Sequence, residues 1–347
     1  MPKANRKLRW CVLAAVALFP AIFVFAGCRT TEEPGEAEMN AGRADYRAGN
    51  YESAFRKFRL AAEQGHPGAQ NLVGVCFSEG IGVEQDYAEA VKWFRAAAER
   101  DFDLAQKNLG FCYESGQGVE QDFAEAVKWY RLAADQGVQT AQILLAAAYG
   151  LGRGIEQDDE AAFKWMRKAA EQDDDLAQYY VAVFYRDGSG VHQSDKDAVK
   201  WFKKAAEQGN IDAQFWYAWY RYHGIGGRKD EKEAAKWWRK AAEQGDAESQ
   251  NWFGMCCLGG KGVEQDMPQA VDWFRKSAEQ GFSAGQFSLG LCLYEGIGVE
   301  KDTSAAVDLW RKAAEQGSED AKEHLKYFAE QGDAEAQKAL DELEKGE

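Results

Sequence analysis

The string Gly281-Phe282-Ser283-Ala284-Gly285 has the G-x-S-x-G spacing that exposes a nucleophilic serine at a sharp turn. That chemistry needs a strand before the serine and an acid and base supplied elsewhere. Here Gly281 belongs to a turn series repeated along the chain, and Gly285 stands where other units place Ala before Gln, so the string reads as structural. His66, His192, His223 and His324 lie in different units or loops, and no H-E-x-x-H or C-x-x-C pair occurs, so no metal or cofactor is predicted. The recurring G-x-G pairs lack the strand and third glycine of a phosphate loop and are followed by acids, which makes them turns. Cys76, Cys112, Cys256 and Cys292 share one repeat position, with Cys257 beside the third. Neighbouring copies of one position should stand about 10 Å apart if helices pack normally. A disulfide needs Cα atoms within about 7 Å. The thiols are expected to act as buried small hydrophobes, with pairing the alternative for an exported chain.

What positions these residues is a period. Ala-Gln pairs begin at Ala69, Ala105, Ala141, Ala177 and Ala213, continued by Ser249-Gln250 and Gly285-Gln286, in steps of 36 residues. Trp93, Trp129, Trp165, Trp201, Trp237 and Trp273 keep the same step, as do glycine pairs from Gly80/Gly82 to Gly296/Gly298. Within one copy, Ala105, Leu109, Gly110 and Tyr113 make one stripe of a first helix. Gly116 and Gly118 then break it, as glycine does where positive φ is needed. Asp122 should cap a second helix, with Glu125 completing a capping box, and Ala126, Tyr130, Ala133 and Ala134 should face inward. Asp86, Asp158, Asp230, Asp266 and Asp302 repeat that cap, and Ser194 replaces it once. One such unit cannot bury its apolar faces alone, so units must stack.

The pattern Ala-x-x-x-Leu-Gly-x-x-Tyr, Gly-x-Gly-Val-x-x-Asp, Ala-Val-x-Trp-Tyr/Phe-x-x-Ala-Ala resembles the Sel-one-like repeat, a relative of the tetratricopeptide repeat. The resemblance implies an all-α fold, a right-handed α-solenoid of stacked antiparallel two-helix repeats. It covers residues 66–317 as seven full copies. Residues 37–65 lack the longer loop and look like an ordinary tetratricopeptide unit, and 318–347 read as C-terminal capping helices. Some bacterial relatives staple each helix pair with paired cysteines and have been linked to β-lactam binding. This chain lacks that pairing and any S-x-x-K, so the resemblance does not carry that activity over.

The chain has 347 residues and a net charge of −15. Residues 1–27 carry Lys3, Arg6, Lys7 and Arg9 and no acid, which leaves −19 for the rest, and a body that acidic repels nucleic acid. Those four bases precede an apolar run, Cys11 to Gly27, ending Phe25-Ala26-Gly27-Cys28. Charge, apolar segment and small residues are the layout of a secretory signal. The ending resembles a bacterial lipobox, which implies that residues 1–27 are removed and Cys28 receives lipid. Phe25 departs from the usual Leu, and a retained signal-anchor helix is the alternative. Arg29 after the cysteine favours the outer membrane, on its periplasmic side, and residues 28–36 read as a tether.

In tetratricopeptide-type solenoids the first helices line a concave groove. The residues expected there are Phe111, then Tyr179 and Arg186, then Phe215, Trp219 and Tyr222, then Met255, then Phe287 and Tyr294. Aromatics with an Arg on a solvent-facing surface are frequent binding anchors. The alternative is that some, Phe215 and Trp219 above all, are packed between units. The expected function is a lipid-anchored envelope scaffold or adaptor that captures an extended segment or helix of a protein partner in apolar pockets with an acidic rim, with no small-molecule substrate. An envelope enzyme and a passive spacer remain the alternatives.

Overall fold

The computed structural model describes residues 34–346. The signal, Cys28 and most of the tether lie outside the described residues. Among the described residues there are eighteen helices and no strand. They fall into two compact units, one ending at His192 and the other beginning at Gln193.

The first unit holds α1 (Glu36–Arg47), α2 (Tyr51–Glu63), α3 (Pro67–Glu79), α4 (Tyr87–Ala98), α5 (Asp103–Ser115), α6 (Phe123–Asp135), α7 (Gln139–Leu151), α8 (Asp159–Ala170) and α9 (Asp175–Asp187). The second holds α10 (Asp195–Glu207), α11 (Ile211–His223), α12 (Glu231–Glu243), α13 (Ala247–Gly259), α14 (Met267–Glu279), α15 (Ser283–Glu295), α16 (Thr303–Glu315), α17 (Glu319–Glu330) and α18 (Ala334–Gly346). Within each unit every helix packs on the next in the chain, the stacking of two-helix repeats that the period predicts. No helix among the described residues is long and apolar enough to cross a membrane.

The local signals act as expected. The Asp86, Asp122 and Asp158 carboxylates each accept two backbone N–H groups of the helix that follows, and Ser194, Asp230, Asp266 and Asp302 each accept one. Capping of this kind is worth about 1 kcal/mol per helix. Ala126, Tyr130, Ala133 and Ala134 are buried together, and Ala105 and Leu109 are buried against the preceding repeat's Phe94 and Ala97. Gly110 is small because the Tyr130 ring lies flat on it: a Cβ there would stand 2.7 Å from the ring. Cys76, Cys112, Cys256, Cys257 and Cys292 are free, buried thiols. Burial pushes the first three thiols up to about 12, which keeps them protonated and inert. The periodic tryptophans carry a further layer, since Lys168, Lys204, Lys240 and Lys276 lie 3.8–4.3 Å from the rings of Trp165, Trp201, Trp237 and Trp273.

The repeated Ala-Gln pair gains a physical role. Gln142 is buried, donates to the Ala134 carbonyl of the preceding repeat, and accepts at 2.9 Å from Gln172, which ends its own repeat. The same amide tie joins Gln106 to Gln136, Gln214 to Gln244, Gln250 to Gln280 and Gln286 to Gln316. Asp101, held at φ 64° where most repeats use glycine, accepts from both Gln106 and Gln136. Only in the first copy does Arg100 replace the closing glutamine, and there Gln70 Oε1 is buried without a partner. A partnered buried amide contributes roughly 1 kcal/mol and costs about 1–3 when its partners are orphaned. Gln142→Met should therefore lower stability by about 2 kcal/mol, and Gln70→Met by clearly less, as read by denaturant midpoints. Equal losses at both sites would remove the tie as the explanation.

Candidate functional site

The residues that sequence places in a groove divide by the row they occupy. Within each unit, the row two places after a repeat's Ala meets the next first helix. Asn71 on α3 accepts at 2.9 Å from Asn108 on α5, and Phe287 on α15 meets the His324 ring of α17 at 4.8 Å. Phe215, in that row on α11, is 7% exposed and is therefore wall rather than open anchor. Tyr179 is half-buried, edge-on to Tyr180 at 5.1 Å. Arg186 is paired with Asp187 at 2.8 Å, so its guanidinium is already engaged. Tyr294 lies under Phe328 of α17 at 4.0 Å and beside Trp310. The C-terminal helices thus cover Phe287 and Tyr294.

The row four places further on is open in the second unit. Trp219 is half-buried, meeting His223 at 4.2 Å and the edge of Trp252 at 5.0 Å. Met255 is 45% exposed. Leu291 is half-buried, and Tyr327 on α17 is 57% exposed. In the first unit the same row reads Val75, Phe111, Ala147 and Val183; only Phe111 is more than 9% exposed. Tyr222, nine places after its Ala, stands on Trp238 at 5.3 Å, with the Lys229 ammonium 5.4 Å from its ring. Trp238 itself is fully buried and stacks on Trp252 at 5.0 Å. Trp252, Trp238, His324 and Phe328 build these walls and were missed by sequence reasoning. Their signal is position: Trp252 and His324 both stand three places after a repeat's Ala, where only contact between repeats gives a residue its role.

Acids stand at one end of this face. Asp212 and Glu248 lie in the first turns of α11 and α13. Both side chains are nevertheless exposed to solvent. The helices packed around Glu248, then the charges of Asp246 and Asp212, push its carboxyl up to about 7. Asp212 is raised in the same direction, by surrounding protein first and by Asp246 second. A carboxyl whose folded value lies above its unfolded one binds more protons when folded, so stability falls as pH rises between the two. Titrating from pH 5 to 7.5 should lower the unfolding midpoint, and Glu248→Gln should flatten that slope, as followed by thermal melts. An unchanged slope in the variant would show that the Glu248 carboxyl is not raised by its surroundings.

Ser283 begins α15 directly after the turn from α14, so the strand that a nucleophile elbow needs is replaced by a helix. Gly285 is small for a packing reason, because a Cβ there would stand 2.2 Å from Ser277 Oγ.

The Sel1 repeat family model matches residues 41–66, 67–102, 103–138, 139–174, 175–210, 211–246, 247–282 and 283–318. The chain belongs to the Sel1 repeat family. The match includes the short unit at 41–66, giving eight Sel1 repeats where the strict period counts seven. The family identification therefore agrees with the sequence resemblance, as does the all-α solenoid of paired helices. The chain is similar to c5321, described as a protective antigen present in uropathogenic Escherichia coli strains displaying an SLR fold, at 37% identity and TM-score 0.80. That match covers 83% of this chain and 63% of the antigen, so the chain spans less than two thirds of that relative. A Sel1 repeat protein from Oxalobacter formigenes is 32% identical, with TM-score 0.63, over 91% of this chain and 99% of its own. No curated protein matches.

Proposed function

We propose that this Sel1 repeat chain is a scaffold, not an enzyme, and that it holds a protein partner on the first-helix face of its second unit. Sel1 repeats are protein-interaction modules. The observation that carries the placement is the open row Trp219, Met255, Leu291 and Tyr327, whose first-unit counterparts are mostly buried. Apolar side chains left in solvent at a regular step are costly unless something covers them. A photo-crosslinking residue at Met255 should capture a discrete adduct in cells, while one at Leu132, 46% exposed on α6, should not. The same adduct from both positions, or from neither, would remove this face as the binding site.

The export reading belongs to the same proposal. The basic start, the apolar run and Ala26-Gly27-Cys28 support lipid attachment at Cys28, which would hold the scaffold in the bacterial envelope, with Arg29 favouring the outer membrane. Replacing Cys28 with Ser should move the protein from the detergent to the aqueous phase on partitioning.

A further inference from the structure

The open row has a partner row of charge, and the two occur together only in the second unit. Asp212 precedes Trp219 by seven residues, Glu248 precedes Met255 by seven, and Asp320 precedes Tyr327 by seven. Seven residues are two helical turns, so each acid lies on the same face as its apolar residue, about 10 Å along the helix. On α15 Ala284 takes the acid's place before Leu291. The corresponding first-unit positions are Gly68, Leu104, Thr140 and Leu176, none of them charged.

These acids also differ from several others on the surface. Glu89, Glu125, Glu160 and Glu243 each pair with a Lys or Arg on the same helix. Asp212, Glu248 and Asp320 make no ion pair among the described residues, and Asp246 crowds the first two with like charge. One turn beyond Glu248, Asn251 Oδ1 is a buried acceptor with no donor. These three acids thus stand on the face without a paired cation, while the Lys229 ammonium beside Tyr222 is paired with Glu231.

We propose that this face takes a cationic segment of a protein partner, its Lys or Arg side chains meeting Asp212, Glu248 and Asp320 while its apolar side chains lie on Trp219, Met255 and Tyr327. It rests on the docking reading above and adds the partner's charge and register. The alternation is set by the two rows: one basic and one apolar group at each repeat that carries an acid, and an apolar group alone at α15, where Ala284 replaces it. The acids supply specificity and encounter rate, and the apolar row supplies contact area.

A fluorescent synthetic peptide alternating Lys and Leu, titrated against the full chain, tests it. The combined Asp212→Asn, Glu248→Gln and Asp320→Asn change should weaken binding about tenfold, as expected from losing three exposed charge contacts. Removing the exposed first-unit acids Glu84, Glu120 and Glu156 as Gln should leave binding unchanged. Met255→Ser with Tyr327→Ser should weaken it as strongly as the acid change. Equal losses from the two acid triples would mean bulk attraction to an acidic protein and would overturn the proposal. A peptide with Glu in place of Lys, binding as tightly and still needing Met255 and Tyr327, would overturn the charge claim while leaving the docking face intact. Binding indifferent to Met255 and Tyr327 would overturn both.

Discussion

Gly262→Ala should unfold the repeat junction it serves, lowering stability by on the order of 3 kcal/mol or more. Two costs combine. Gly262 sits at φ 74°, where an L side chain costs roughly 1–2 kcal/mol. The added Cβ would also stand 2.1 Å from the Glu231 carbonyl oxygen, a backbone atom that cannot swing aside. Overpacking against fixed atoms adds about 1–3 kcal/mol. The contact joins the loop after α13 to the start of α12, the second helix of the preceding repeat, so relief requires the repeats to part. Gly260→Ala is the control. It has similar φ, 63°, but its Cβ would meet Gln265 Cβ at an ordinary 3.4 Å, so it should show the backbone cost alone. Chemical denaturation of both variants decides this. Matching losses would mean that the close approach contributes nothing.

Trp238→Ala should cost about 3–5 kcal/mol, the range for deleting a fully buried large aromatic. Trp238→Phe should cost clearly less, since one aromatic ring is kept and the cavity left behind is smaller. The indole Nε1 of Trp238 is buried with no hydrogen-bond partner, so phenylalanine orphans nothing. Phe202 and Phe274 already fill the same position in other repeats. The alanine variant should also slacken the proposed binding face, since Trp238 underlies Tyr222 at 5.3 Å and Trp252 at 5.0 Å. Measured at a temperature where both variants remain folded, binding through Trp219 should fall in the alanine variant and persist in the phenylalanine one. A phenylalanine variant as damaged as the alanine one would mean that the indole makes a contact specific to its second ring.

The architecture was readable because its determinants are local. Asp122 caps whatever helix follows it, and Gly116 and Gly118 adopt positive φ whatever their surroundings, so a 36-residue spacing of such signals already implies stacked helix pairs. The candidate site was readable only in part. Single-helix periodicity places Phe215, Trp219 and Tyr222 on one side of α11, but it cannot say which of them the next helix roofs. That depends on Trp252 approaching from a different repeat. Phe287 and Tyr294 were hidden for a related reason, because His324 and Phe328 lie in helices that look like a plain charged cap. Asp212 and Glu248 carry no motif at all. They stand out only when the two units are set side by side and one of them lacks acids at that place.

The glutamine ties carry a mechanical consequence. Each Gln–Gln bond closes one repeat on itself across 30 residues, and the buried Gln also donates to a carbonyl eight residues back, in the preceding repeat. Tension applied along a unit would pass through all its junctions in series, so the junctions would yield one at a time rather than together. Every junction that yielded would release one repeat, roughly 120 Å of chain at full extension. Extension under force would then proceed in equal steps, with the glutamine junctions as successive latches. A protein built this way can lengthen under load and recoil one repeat at a time, instead of failing all at once.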